Sequence, residues 1–114
     1  MNWNYKREET FKQIPPGTHR VRIEDVEKTV SQAGNDMLVL HLSVSGYNKR
    51  LRYYLVFLNE YPEMTNERLT QIYDSFGIPE GSFDIATWIG KVGAAIIRIG
   101  DDEYEEIRRF IHKN

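Results

Sequence analysis

Two alternating segments joined by a short turn constrain the fold of this chain more than any other part of the sequence. Residues 37–44 and 50–58 place apolar side chains at every second position, with turn-forming residues at 45–48. The apolar positions are Leu38, Leu40, Leu42 and Val44 in the first segment, and Leu51, Tyr53, Leu55 and Phe57 in the second. Because strand side chains alternate between the two faces of a sheet, this pattern predicts an antiparallel β-hairpin with one face in a core.

The other face of this hairpin combines cations with an aromatic ring. Arg50, Arg52 and Tyr54 occupy alternate positions of the second strand, beside His41 and Ser43 of the first. Aromatic rings stack on bases while Lys and Arg neutralise phosphates, so this surface predicts binding of a nucleic-acid strand. The predicted binding residues are Arg50, Arg52, Tyr54, Lys49, Arg20, Arg22, His41 and Tyr47. The alternative interpretation is that these arginines only make the surface soluble and bind no ligand. The spacing of the residues fits both interpretations.

The segment before the hairpin predicts a long, bent first strand at residues 18–30. Its apolar side chains change phase once: Val21 and Ile23 share one phase, and Val26 and Val30 share the other. A phase change within one strand requires an extra residue, so we expect a β-bulge near Glu24 and Asp25. Such a strand is typical of small β-barrels, in which it pairs with a different neighbour at each end.

One helix is predicted after a loop that covers residues 59–65 and contains Pro62. Thr65 or Asn66 is a suitable N-cap, and Gly77 is suited to end the helix. An apolar stripe at helical spacing is formed by Leu69, Ile72, Tyr73 and Phe76. We expect this stripe to cover one end of the barrel, and the alternative is a surface for a partner protein.

Two further strands complete the predicted fold. Residues 82–89 indicate a loop with a short helical turn, 92–99 a fourth strand and 104–111 a fifth. Two apolar sets compete for the inward phase of the fifth strand, Ile107 with Ile111 and Tyr104 with Phe110. The order β-β-β-α-β-β predicts an all-β fold, a five-stranded barrel with one helix.

The length of 114 residues is that of one ordinary domain. We expect an N-terminal arm at residues 1–16 and a single domain at residues 17–114. Trp3, Tyr5 and Phe11 of the arm have two interpretations: they pack on the outside of the domain, or Trp3 or Tyr5 helps to stack a base.

The charge balance limits the class of ligand. The chain has 15 basic and 17 acidic residues, a formal net charge of -2, which argues against coating of duplex DNA by bulk electrostatics. The charges are unevenly placed, with basic groups at 19–22, 49–52 and 108–113 and acidic residues at 101–106. The lack of cysteine excludes disulfides and thiolate metal sites. Together with the lack of a signal peptide or membrane-spanning run, it predicts a cytoplasmic protein that does not act in a membrane.

The sequence contains no Gly-rich phosphate loop, no paired zinc-ligand spacing and no nucleophile motif. His19, His41 and His112 are far apart in the sequence, so no metal site is predicted from them. We therefore predict a protein that is not an enzyme and has no cofactor. The acids at 101–106 leave one alternative, a small metal-dependent nuclease.

Several short segments resemble a family of small phage and prophage proteins proposed to bind single-stranded DNA. They are residues 14–17 (Ile-Pro-Pro-Gly) before 21–23 (Val-Arg-Ile), 34–37 (Gly-Asn-Asp-Met) before 38–40 (Leu-Val-Leu), 76–78 (Phe-Gly-Ile) at the helix end, and 88–91 (Trp-Ile-Gly-Lys) before the fourth strand. Members of this family occur beside recombination and replication functions. With the strand order, the resemblance implies an OB-fold, a five-stranded barrel.

The resemblance also implies what the protein binds and where. OB-folds bind ligands over strands two and three, flanked here by the loops at residues 31–36 and 100–103. The expected partner is single-stranded DNA with little sequence preference, together with replication or recombination proteins in the cytoplasm of a bacterial host; a homodimer is compatible with this function. The acidic loop at 100–103 departs from the pattern, because it would repel a DNA backbone. The rival interpretation is an OB-type module that binds a protein through Tyr54, Val56 and Leu58.

Overall fold

A computed structural model describes residues 1–5 and 13–112 and shows an all-β fold with one helix. The elements are β1 (Gly17–Val30), β2 (Asp36–Val44), β3 (Arg50–Val56), α1 (Pro62–Phe76), β4 (Val92–Ile99) and β5 (Glu105–Ile111). A short 3-10 turn at Ile85–Trp88 precedes β4. The predicted fold class is confirmed, since the order is β-β-β-α-β-β and the architecture is that of an OB-like fold.

The five strands form one antiparallel sheet in the order β3-β2-β1-β4-β5. The long β1 serves two neighbours, because residues 17–22 pair with β4 and residues 21–30 pair with β2. The pairing with β2 shifts register between Ile23 and Asp25, so Glu24 is the extra residue of a bulge. The predicted bulge is therefore confirmed, and the sheet curls into a half-barrel.

The half-barrel is closed by side chains. In the described residues no backbone ladder joins the edge strands β3 and β5. The rings of Tyr53 and Phe110 instead meet across the gap, with centroids 4.7 Å apart. Lys49, just before β3, also donates a hydrogen bond to the carboxylate of Glu105 at the start of β5.

The helix begins earlier than the sequence predicts. Pro62 is at the start of α1, so the predicted loop at residues 59–65 is wrong from this position onward. Proline fits the first helical turn because the N–H groups there have no partner within the helix. Thr65 is buried inside the helix instead of capping it, and its hydroxyl accepts from the N–H of Leu58 at 3.0 Å. The predicted end is confirmed by Gly77, which is left-handed with φ 66°.

The predicted apolar stripe of α1 faces the core, with Leu69, Ile72 and Phe76 buried. The helix packs against β3, β4 and β5, so the expected cover over one end of the sheet is confirmed. Ile14 is fully buried in the same core, although it belongs to the predicted N-terminal arm. No helix of the described residues is long and apolar enough to cross a membrane.

A second bulge explains the competing phases of β5. Ile96 pairs with Arg109 whereas Ile97 pairs with Ile107, so Arg108 is the extra residue. The bulge allows both Phe110, which is buried, and the partly buried Ile107 to pack against the core. Tyr104 lies just before the strand and is exposed.

Candidate nucleic-acid interface

The outer face of β1, β2 and β3 is ordered in rows by the strand register. Each row takes one residue from each strand, in the order β1, β2, β3. The rows are Arg22, Ser43 and Arg50; Asp25, His41 and Arg52; Glu27, Val39 and Tyr54; and Thr29, Met37 and Val56. Neighbouring strands lie about 4.8 Å apart, so each row spans about 10 Å.

The β3 column of this face carries the predicted cationic and aromatic residues. Arg50 and Arg52 are exposed, and neither forms an ion pair with a residue that the structure describes. Tyr54 follows on the same face with 51% of its surface exposed. Since the neighbours Leu51 and Leu55 are buried, the alternation along β3 fixes the outward direction of the three side chains. The column offers two exposed cations and one ring to a ligand.

The β1 column is acidic in the rows of Arg52 and Tyr54, whereas Arg22 stands in the row of Arg50. The bulge leaves Glu24 and Asp25 between the buried Ile23 and Val26, and Glu27 follows two residues after Asp25. Ser43 donates its hydroxyl to Glu24 at 2.7 Å, which draws this carboxylate toward β2. The face is therefore divided, with positive charge along β3 and negative charge along the middle of β1.

The predicted residues Arg20 and Arg22 lie on β1 beyond the acids, and both are exposed. Arg22 shares a row with Arg50. Its guanidinium is 3.9 Å from the Glu24 carboxylate, which is a long contact, so Glu24 compensates the charge of Arg22 only weakly. The structure thus brings the two pairs of arginines to one end of the face.

His41 is in the middle of the face, but its ring is engaged. Its side chain is 17% exposed, and Nε2 lies 2.5 Å from a carboxylate oxygen of Glu27. A ligand would have to compete with this hydrogen bond, so His41 is a weaker contact candidate than the sequence predicts.

Lys49 is bound to a buried carboxylate. Its ammonium donates to both oxygens of Glu105, at 2.6 and 2.7 Å, and the Glu105 side chain is 1% exposed. Burial raises the pKa of the Glu105 carboxyl. The hydrogen bonds from Lys49 and from the Ile14 N–H lower this pKa, and so does the positive charge of Lys49. Their combined effect is stronger than that of burial, so the pKa of Glu105 lies below its ordinary range. The charge of Lys49 is therefore balanced within the protein, in contrast to those of Arg50 and Arg52.

Tyr47 lies apart from the exposed β3 column. It packs partly against the core and meets His19 edge to face, with ring centroids 5.9 Å apart. The turn between β2 and β3 directs this ring toward the core, so the structure does not place Tyr47 beside Tyr54 as a second stacking surface. Trp3 and Tyr5 of the arm are 79% and 80% exposed, so the interpretation that they pack on the domain is wrong for these two residues, and Phe11 lies outside the described residues.

A cleft of about 690 Å³ lies beside β3 and adds a residue that was not among the predicted binding residues. Arg50, Arg52 and Tyr104 contribute to its lining. Tyr104 is 68% exposed, although its place in the sequence made it a candidate for the inward phase of the fifth strand. The available signal was its position directly after the loop at 100–103, which flanks the ligand in OB-folds.

One group of this face has the geometry of a metal site. Ligand atoms of Asp25, Glu27 and His41 lie within 4.8 Å of one another, close enough for one divalent cation to bridge them. His19 and His112 are not part of the group. In the described part of the chain the acids at 101–106 form no comparable cluster, which leaves the nuclease alternative without a metal-binding group there.

A family model described as "Protein of unknown function (DUF669)" matches residues 1–108, so the chain belongs to this family. No curated protein matches the chain. The family description names neither phage proteins nor single-stranded DNA, so the resemblance to such proteins stays a prediction.

Proposed function

We propose that this member of the DUF669 family binds single-stranded DNA without catalysing a reaction. The observation that carries the proposal is the exposed β3 column. Arg50 and Arg52 form no ion pair with a residue that the structure describes, and the exposed ring of Tyr54 follows them on the same face. The arginines neutralise phosphates, and Tyr54 stacks on a base. Every base has a flat π face, so this mode of binding has little sequence preference.

The charge division of the face selects a path for the strand. A DNA backbone that crossed from β3 to β1 in the middle rows would meet Glu24, Asp25 and Glu27. A backbone that follows β3 avoids these acids and passes Tyr104 in the cleft at the beginning of the strand. The path along β3 is about 23 Å long, on the basis of 3.3 Å per residue.

The biological setting is proposed from the resemblance described above. The protein acts in the cytoplasm of a bacterial host, beside phage or prophage replication or recombination proteins. It needs no cofactor in this role, because stacking and charge neutralisation require only side chains.

A protein-binding module is the second candidate function, and one observation favours it. The exposed Tyr54 is followed on the same face of β3 by the half-buried Val56, and the two give the far end of the face an apolar surface. Such a surface suits an apolar peptide better than a phosphate backbone. We favour DNA as the ligand because Arg50 and Arg52 are exposed in the two rows before Tyr54.

The test is fluorescence anisotropy with labelled oligo-dT of twelve nucleotides and a matched duplex over a series of salt concentrations. We expect preference for the single strand, with a log-log salt slope of about -0.7 for each phosphate neutralised. Replacing both Arg50 and Arg52 by Ala should flatten the slope by about 1.4 and weaken binding at least about tenfold. Tyr54→Ala should weaken binding about 5- to 150-fold, the effect of losing one stacked base.

The matched control is the double variant Arg108→Ala, Arg109→Ala. These arginines are exposed on β5, outside the face formed by β1, β2 and β3. Equal losses in the two double variants would indicate bulk attraction without a site on β3. No binding of the single strand even at low salt would refute the proposal and favour the protein-binding module.

A further inference from the structure

A cavity of about 580 Å³ lies at the opposite end of β3 from Tyr104. Its wall includes the rings of Phe57 and Phe83 and the polar residues Lys28, Asp36 and Asn59. An apolar pocket of 300–1,000 Å³ with a few polar groups is the usual form of a small-molecule or cofactor site, and a single nucleobase fits well within this size.

The two rings of the cavity have different surroundings. Phe57 packs partly against the core, and its N–H donates to the carbonyl of Asp36 at 2.9 Å, which fixes this wall. Phe83 comes from the segment before the 3-10 turn and is 56% exposed. The ring centroids are 6.1 Å apart with an interplanar angle of 59°, so the rings are not stacked on each other. Phe83 keeps an open aromatic surface that its own packing does not use.

The cavity opens just beyond the end of the exposed β3 column, on the inward side of the sheet, because Lys28 shares a row with the buried Leu38 and Leu55 and Phe57 follows in the same phase. Met37 lines it and pairs with Val56, in the row that follows Val39 and Tyr54. Two residues along a strand advance by about 7 Å, so the rim of the cavity at Met37 lies close to one nucleotide beyond Tyr54, and a DNA strand on the outer face enters the cavity by turning over the end of β3. Lys28 of β1 also lines it and forms no ion pair with any residue in the described ranges.

We infer that this cavity is a nucleobase pocket, which receives one unstacked base of a single strand of DNA held along β3. The inference rests on the proposed function and extends it. Phe83 stacks on the inserted base, while Lys28 neutralises the adjoining phosphate. Arg50 and Arg52 lie at one end of the path, and Lys28 and Asp36 both line the other, so it is the arginine end that favours nucleic acid over an apolar peptide as the occupant.

The principal test compares Phe83→Ala, Phe83→Leu and Phe83→Trp for binding of twelve-nucleotide oligo-dT. Ala and Leu should both weaken binding about 5- to 150-fold, because neither can stack, whereas Trp should retain it. Leu keeps the apolar bulk and so separates stacking from packing. Thermal unfolding by circular dichroism should show all three variants folded, since the ring is exposed.

Contact between DNA and position 83 can be measured directly by tryptophan fluorescence. The protein for this measurement carries Phe83→Trp together with Trp3→Phe, which removes the other exposed indole. The remaining Trp88 is fully buried and provides a constant signal. Oligo-dT of twelve nucleotides should quench the new fluorophore.

Tyr61→Ala is the matched control for loss of an exposed ring. Tyr61 is 55% exposed, and its side chain makes no capping hydrogen bond to α1. Its removal should leave DNA affinity unchanged.

The outcomes separate the pocket from the proposed function. Unchanged affinity in Phe83→Ala, with loss in the Arg50 and Arg52 variant, would overturn the pocket and leave the β3 site intact. The exposed Phe83 ring would then be assigned to a protein segment. Failure of the unmodified protein to bind single-stranded DNA at low salt would overturn both.

Discussion

Glu105 is the residue in which three distant segments meet. Its buried carboxylate accepts hydrogen bonds from Lys49, before β3, and from the N–H of Ile14, before β1. A buried charge without partners is costly, so these bonds hold the carboxylate, and with it the start of β5, in place. Lys49 thereby has a structural role in addition to any contact with DNA.

We predict that Glu105→Gln lowers the free energy of unfolding by about 1.5–3 kcal/mol at pH 7, the usual range for hydrogen bonds to a charged group. The folded pKa of Glu105 is lowered, so its stabilisation is present above the unfolded value of about 4.3 and is lost as the pH falls through the folded pKa. The difference between the variant and the unmodified protein should therefore shrink in acid. Urea unfolding at pH 7 and at about pH 2.5 measures both differences.

Glu106→Gln provides the comparison for this prediction. Glu106 pairs with Arg98 at the surface, where the two side chains are 44% and 59% exposed. Such a pair contributes about 0–1 kcal/mol, so this variant should change stability little. An equal loss of stability for Glu105→Gln at both pH values would contradict the charged role of Glu105.

At the scale of elements, α1 docks on β4 through a serine and a glycine. The Ser75 hydroxyl donates to the carbonyl of Ala94 and accepts from its N–H, both at 3.0 Å. A Cβ on Gly93 would lie 2.6 Å from Ser75 Oγ and 2.8 Å from a ring carbon of Phe76, so the helix can approach only a glycine here. A helix side chain thus satisfies backbone groups of the strand that it covers.

We predict that Ser75→Ala costs about 1–3 kcal/mol, because it leaves a buried N–H and a buried carbonyl without their partner. Gly93→Ala should cost a similar amount, about 1–3 kcal/mol, through steric overlap with the helix. Urea unfolding measures both losses. The control is Asp74→Ala, an exposed position of the same helix, and an equal effect of Asp74→Ala and Ser75→Ala would refute the proposed bridge.

The sequence predicted the strands of this fold better than the start of its helix. The fourth strand was predicted at 92–99 and is observed there, because its apolar pattern ends in clear turns. Pro62 was interpreted as part of a loop, although proline is equally suited to a first helical turn. Local propensity does not separate these two settings, and packing of the helix on the sheet does.

At the scale of the whole molecule, an aromatic cluster substitutes for the missing ladder between β3 and β5. Phe110 of β5 meets Tyr53 of β3 at 4.7 Å and Phe76 of α1 at 5.2 Å, between ring centroids. One buried ring therefore joins both edge strands and the helix. The cleft beside Arg50 and Arg52 depends on this junction, because its far wall is formed by the start of β5.

We predict that Phe110→Ala destabilises the fold by about 3–5 kcal/mol, whereas Phe110→Leu costs less because it fills more of the cavity. The Ala variant should also bind oligo-dT more weakly under conditions in which it stays folded, since the cleft loses its fixed wall. Urea unfolding and anisotropy, measured on the same samples, test the two effects together. Full DNA affinity in a folded but destabilised Phe110→Ala variant would show that the cleft does not contribute to binding.

The sequence by itself determined the local periodicities: the alternating faces of β2 and β3, the bulge at Glu24 and the end of α1 at Gly77. The strand faces and the bulge follow from the two-residue repeat of a strand, and the end of α1 follows from the left-handed backbone conformation that glycine adopts readily. These patterns also placed Arg50, Arg52 and Tyr54 on the outer face.

Only the tertiary structure decided which side chains become neighbours. It joined Lys49 to Glu105, placed His41 beside the acids of β1, and brought Tyr104 to the cleft and Phe83 to the cavity. These neighbours come from segments far apart in the chain, and one step in strand register would exchange them. A periodic pattern specifies the face of a strand, whereas pairing register, bulges and loop packing specify what lies next to it.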